Sequence, residues 1–110
     1  MEPFAVTAPV LEPEVTSRAR FLPPHNVILM NDDDHSMDFV VDVLRKVFNF
    51  PLEKSFQLML VAHETGCVVL WTGPKEVAEL KAEQIGTFHE IRERDKKDLG
   101  ALGVRIEPAE

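Results

Sequence analysis

Residues 27–38, Val27-Ile28-Leu29-Met30-Asn31-Asp32-Asp33-Asp34-His35-Ser36-Met37-Asp38, decide how this chain folds. The first four form an unbroken apolar run, as a buried strand requires. Asn31 to Asp34 then stop it, because short acid and amide side chains bond the local backbone and favour a turn. Ser36 stands where a helix cap belongs. Asp38 falls in the first turn, where negative charge suits the unpaired N–H groups. Val40, Val43, Leu44, Val47 and Phe48 follow at helical spacing and make one apolar face. Asn49-Phe50-Pro51 ends that helix.

Working outward, a second helix is expected to start near Pro51, since proline is tolerated in a first turn. Its apolar stripe is Phe56, Met59, Leu60 and His63, and Gly66 is its left-handed stop. Cys67-Val68-Val69-Leu70-Trp71 reads as a second strand. Pro74 opens a third helix that turns Val77, Ala78, Ile85, Phe88 and Ile91 inward. Residues 92–100, RERDKKDLG, read as a charged loop, and Val104 and Ile106 flank Arg105 in a last short strand. The order is β-α-α-β-α-β, an α/β (α+β) single two-layer domain over residues 26–110. Residues 1–25 hold five of the eight prolines without apolar periodicity, and read as a flexible Pro-rich N-terminal extension.

Composition narrows the function classes. A net charge of −7 argues against a nucleic-acid partner, because a phosphate backbone calls for a basic face. The single Cys67 excludes an internal disulfide framework and a thiolate metal cluster, and fits a reducing compartment. No apolar run approaches the ~20 residues of a membrane span. The first residues, MEPFAVTAPV, do not read as a secretory signal. A cytoplasmic, monomeric protein without membrane or cofactor is expected.

Two places break the local rules. Asn31-Asp32-Asp33-Asp34-His35 concentrates polar groups at the end of a buried strand, and His63 puts an ionisable ring on an apolar stripe. Alone, the first also reads as an ordinary turn and the second as a core histidine. Together they point further. Two helices joined by a few residues are antiparallel neighbours, so the start of one lies beside the end of the other. His63 then meets Asn31–Asp34, with Met37, Val40, Met59 and Ala62 as an apolar wall. Such a pocket suits a cation attached to a hydrophobic group. A protein α-amine, with a reference pKa of roughly 7.7–8.0, is such a cation at neutral pH. Carboxylate, amide oxygen and neutral imidazole all accept from it.

The same residues resemble the ClpS family, adaptors of the bacterial Clp protease. The matching stretches are VILMNDDDHSMDFVVDVL, QLMLVAHETG and KEVAELKAEQI, which carry the patterns NDD-x-x-x-M-[ED]-x-V, ML-x-x-H-x-x-G and EVAE-x-K. The resemblance implies the ClpS fold, similar to the C-terminal domain of the ribosomal stalk protein. It implies recognition of N-degrons, substrates with N-terminal Leu, Phe, Tyr or Trp, and their delivery to an AAA+ unfoldase, with no catalysis. Asn31, Asp33 and His63 would hold the substrate α-amine, with Asp32 adjacent. Met37, Val40, Met59, Ala62 and Leu102 would line the side-chain pocket, Met37 acting as a gate against β-branched residues. Glu76, Glu79 and Lys81 would dock on the N-terminal domain of ClpA or ClpC, and the N-terminal extension would assist hand-over. The chain departs from the family pattern in four places. His35 and Ser36 stand where Thr and then Pro or Thr are common, Ala62 stands where Val is common, and the loop before the last strand is longer.

Two rivals compete with this reading. One is a ClpS-like paralogue that docks on the unfoldase without binding N-degrons. The other is a metal-dependent or acid–base enzyme using Asp32, Asp33, Asp34 and His63, for which no metal-ligand motif is recognisable.

Overall fold

The computed structural model describes residues 22–109. Most of the expected N-terminal extension, residues 1–21, lies outside them. Strand β1 spans His25–Met30, helix α1 Met37–Phe48, helix α2 Leu52–Thr65 and strand β2 Cys67–Gly73. Helix α3 follows over Lys75–Gly86, then the short strands β3 (Glu90–Ile91) and β4 (Asp98–Gly100), and β5 over Val104–Pro108. The main sheet has the order β2-β1-β5 with both pairings antiparallel. β3 and β4 form a separate antiparallel hairpin.

The apolar run is the central strand. Val27, Ile28 and Leu29 are all buried, as expected of a strand with neighbours on both edges. Val27 and Leu29 enter the core with Val43, Leu44 and Val47 of α1, Ala62 of α2, Leu70, Ala78 and Ile85. α3 lies over all three strands of the main sheet, and α1 packs on α2 and α3. The helix signals act where the sequence places them. Ser36 caps α1, its hydroxyl accepting from the Phe39 N–H at 3.1 Å. Asn49 closes α1 in a left-handed conformation with φ 61°, and Gly66 closes α2 at φ 101°. No helix of the described residues is long and apolar enough to cross a membrane.

Three expectations need correction. The buried face of α2 is Ser55, Met59 and Ala62, while Phe56 is 45% exposed and His63 is exposed. Met59 is common to the expected and the buried face, but Ser55 and Ala62 take the places expected of Phe56 and His63. Their burial was hidden because a serine occupies a core position and an alanine carries little apolar signal. The inward face of α3 is Ala78 and Ile85. Val77 is exposed, Phe88 follows the helix half-buried, and Ile91 stands exposed in the hairpin. Residues 92–100 are not only a loop but the turn and second strand of that hairpin. Polar side chains hold it, with Arg92 bidentate on Asp95 at 3.0 and 2.7 Å and the Lys96 N–H bonded to the Arg92 carbonyl at 2.7 Å.

Candidate functional site

Two backbone hydrogen bonds at the end of β1 gather three distant segments. The Asn31 N–H donates to the Gly66 carbonyl at 2.9 Å, which brings the end of α2 beside the turn after β1. The Met30 N–H donates to the Gly103 carbonyl at 2.9 Å, which brings the approach to β5 alongside. Both groups fall where the strand ladder gives out, so the loops supply the partners that buried backbone requires. His63 lies three residues before Gly66 and Leu102 one before Gly103. Helix α1 starts at Met37, across from them.

A cavity of about 40 Å³ opens there, lined by Asn31, Asp32, Met37, Val40, Met59, Ala62, His63 and Leu102. His35, Leu29 and Met30 complete the lining. At ~10–15 Å³ per water, it admits groups of side-chain width. Its floor is apolar and fixed, with Met59, Ala62 and Leu102 almost fully buried. Met37 stands at the mouth, 50% exposed, as an unbranched and adaptable side chain. Asp33 is exposed and outside the lining, as is Asp34.

Asp32 does not have a free carboxylate. Its Oδ1 accepts from the N–H groups of Asp34 and His35, both at 3.1 Å, and from the His35 ring at 2.9 Å. The side chain of His35 is 4% exposed and stacks on Phe39 with ring centroids 5.4 Å apart. Its Nδ1 meets Asp32 and its Nε2 meets the Gly100 carbonyl at 2.9 Å, so both partners are acceptors. Only an imidazolium donates from both nitrogens. Burial pulls the His35 pKa down, but the Gly100 carbonyl and the Asp32 carboxylate outweigh it, and the net shift is upward. Sequence reasoning registered His35 only as an unusual residue, because its Gly100 partner is 65 residues away. The loop's next residue also reaches the hairpin, the Ser36 N–H donating to Glu90 Oε1 at 3.0 Å.

The three residues expected to face a partner protein lie on α3. Glu76 and Glu79 are exposed. Lys81 is half-buried, its Nζ donating to the Val47 carbonyl at 3.1 Å and lying 5.6 Å from the Phe48 ring centroid. It therefore also satisfies a carbonyl at the end of α1, where a cation suits the helix dipole. Among the described residues no group of three or more His, Cys, Asp or Glu side chains is arranged to hold a metal ion.

Residues 22–99 match the family model of the ATP-dependent Clp protease adaptor protein ClpS. The ATP-dependent Clp protease adapter protein ClpS of Xanthomonas campestris pv. campestris strain 8004 is 41% identical over 80 residues, which cover 71% of this chain and 76% of that protein. The ClpS of Cronobacter sakazakii is 41% identical over 87 residues, covering 77% and 80%. In three dimensions the chain is similar to Agrobacterium tumefaciens ClpS2 bound to L-phenylalaninamide, with a TM-score of 0.65 and 28% identity. That match covers 79% of this chain and 98% of the other.

Proposed function

This chain belongs to the ClpS family of ATP-dependent Clp protease adaptor proteins, and from that premise we propose that it binds the N-terminal residue of substrate proteins. The observation that carries the reading is the composition of the cavity. Polar groups of Asn31, Asp32 and His63 share one opening with an apolar floor of Met59, Ala62 and Leu102. The ligand in the ClpS2 structure, L-phenylalaninamide, has the matching halves of a free α-amine and an aromatic side chain. In this reading Asn31, Asp33 and His63 hold the α-ammonium. Asp32 holds the loop and contributes its field, because its oxygens are engaged by His35. Met37, Val40, Met59, Ala62 and Leu102 surround the side chain of an N-terminal Leu, Phe, Tyr or Trp. A charge-assisted hydrogen bond is worth roughly 1.5–3 kcal/mol and burial of a Leu or Phe side chain about as much. Several such terms, less the entropy of association, amount to micromolar affinity, about −8 kcal/mol.

The adaptor then docks through α3, with the exposed Glu76 and Glu79 and the half-buried Lys81 meeting the N-terminal domain of ClpA or ClpC. It acts in the cytoplasm as a monomer and leaves the chemistry to the protease. Fluorescence anisotropy with a labelled Phe-initiated peptide tests the reading, with an N-acetylated copy as control. Saturable binding that acetylation abolishes is expected, since acetylation removes the charge and two donor hydrogens. Equal binding of both peptides, or of neither, would defeat it. A chain that binds neither yet captures the unfoldase domain would be a docking paralogue without N-degron affinity.

A further inference from the structure

The pocket wall at Leu102 lies between β4 and β5, tied to the end of β1 by the Met30–Gly103 backbone bond one residue on but outside the strand ladders. The segment reaches it from the polar β3–β4 hairpin, whose Ile91 is 47% exposed. What ties that hairpin to the pocket rim is the residue between them. His35 bonds Asp32 on one side and the Gly100 carbonyl, two residues before Leu102, on the other. Gly100 takes φ 83°, a conformation that glycine adopts freely, so the carbonyl position is a built feature of the turn into Leu102. The Ser36–Glu90 bond adds a second attachment from the same loop.

We propose that His35 is a positioning residue of the pocket, clasping the β3–β4 hairpin to the rim loop and so fixing the distance between the Leu102 wall and the Asn31–Asp32 rim. The inference rests on the N-terminal-residue reading for its effect on ligand, though the clasp itself exists without ligand. Asp32 on the loop and Glu90 on β3 are the acidic groups that act on the ring. α1 presents it with the uncharged Phe39, and His63 of α2 lines the same cavity. The doubly donating ring holds both partners. A neutral ring keeps one donor and turns a lone pair on the other partner. Because the folded-state pKa lies above the unfolded value, the clasp's contribution is complete below the unfolded imidazole pKa, ~6.5. The share that depends on the charged ring is lost as pH rises through the raised folded value.

The test uses the full chain and two readouts. Amide hydrogen exchange over residues 98–103 reads the clasp without ligand, and anisotropy with Phe- and Leu-initiated peptides reads the pocket. His35→Phe keeps a flat ring against Phe39 and removes both donors. It should speed exchange in 98–103 about tenfold, the loss of one charge-assisted hydrogen bond, and change the Phe-to-Leu affinity ratio. His35→Asn keeps a donor near the Nδ1 position toward Asp32 but is too short to reach Gly100; it should also speed exchange in 98–103, which carries the test even if His35→Phe fails to fold. Exchange and peptide ranking unchanged within twofold in the variants that fold would overturn the clasp. If the wild type binds neither peptide while His35→Phe still loses protection, the clasp stands and the N-terminal-residue reading falls.

Discussion

Ala62→Val tests the shape of the cavity, because Ala62 is 3% exposed, belongs to the core and lines the opening. Valine adds two methyl-sized groups to a space of about 40 Å³. Without ligand they fill empty apolar volume, worth about 0.8 kcal/mol each. A β-branched residue in a helix takes back up to ~0.7 kcal/mol. The free protein should therefore gain about 1 kcal/mol, a rise in Tm of roughly 4–8 °C for a domain of this size. With ligand, the added carbons compete with the substrate side chain for the same volume. A methylene in a hydrophobic pocket is worth about 1–3 kcal/mol. Binding of Trp- and Phe-initiated peptides should fall at least about tenfold relative to a Leu-initiated one. Anisotropy against Phe, Trp, Leu and Ile peptides, with thermal melts in parallel, reads both effects. If the melt shows the valine buried and the ranking stays the same within twofold, Ala62 does not set side-chain preference.

Ser55 is fully buried and its Oγ has no hydrogen-bond partner among the described residues. Ser55→Ala removes that unsatisfied hydroxyl and improves helix propensity, so a gain of about 1 kcal/mol is expected by thermal or urea melts; a loss of stability would mean the hydroxyl is bonded after all. Glu76 and Glu79 are exposed i,i+3 neighbours on α3. Reversing both to Lys should weaken capture of the ClpA or ClpC N-terminal domain by about tenfold at low salt, and less at high salt, while leaving peptide anisotropy unchanged. Undiminished capture would remove these residues from the docking face.

The architecture was legible wherever a single local force decides the outcome. The run Val27–Leu29 is buried on both sides because it is uniformly apolar. Ser36, Asn49 and Gly66 close helices because cap geometry depends on one residue's chemistry. On α2 Met59 is buried as its apolar character implies, whereas Ser55 and Ala62 fill core sites that no hydrophobicity pattern marks. The hairpin was missed for a related reason. Its two strands have only two and three residues, and charged groups such as Arg92 and Asp95 hold its turn. Charge runs are ordinarily solvated surface, so their pairing has no periodic signature.

The polar rim shows why a list of residue types is not yet a site. The sequence offers Asn31, Asp32, Asp33 and His63 as four acceptors of one ammonium, and spacing cannot rank them. The fold does. Asp32 spends Oδ1 on two backbone N–H groups and the His35 ring, whose pKa it raises in turn. A carboxylate so engaged organises the loop more than it attracts a ligand. In the proposed reading charge attraction then falls to the exposed Asp33, while Asn31 and His63, which line the cavity, supply direction. The division depends on His35, which bonds both Asp32 and Gly100. A hydroxyl at that position is too short to span from Asp32 to Gly100. It would leave the carboxylate freer and the hairpin looser, two changes that act on affinity in opposite directions. His35 and the hairpin it reaches at Gly100 therefore belong to one arrangement.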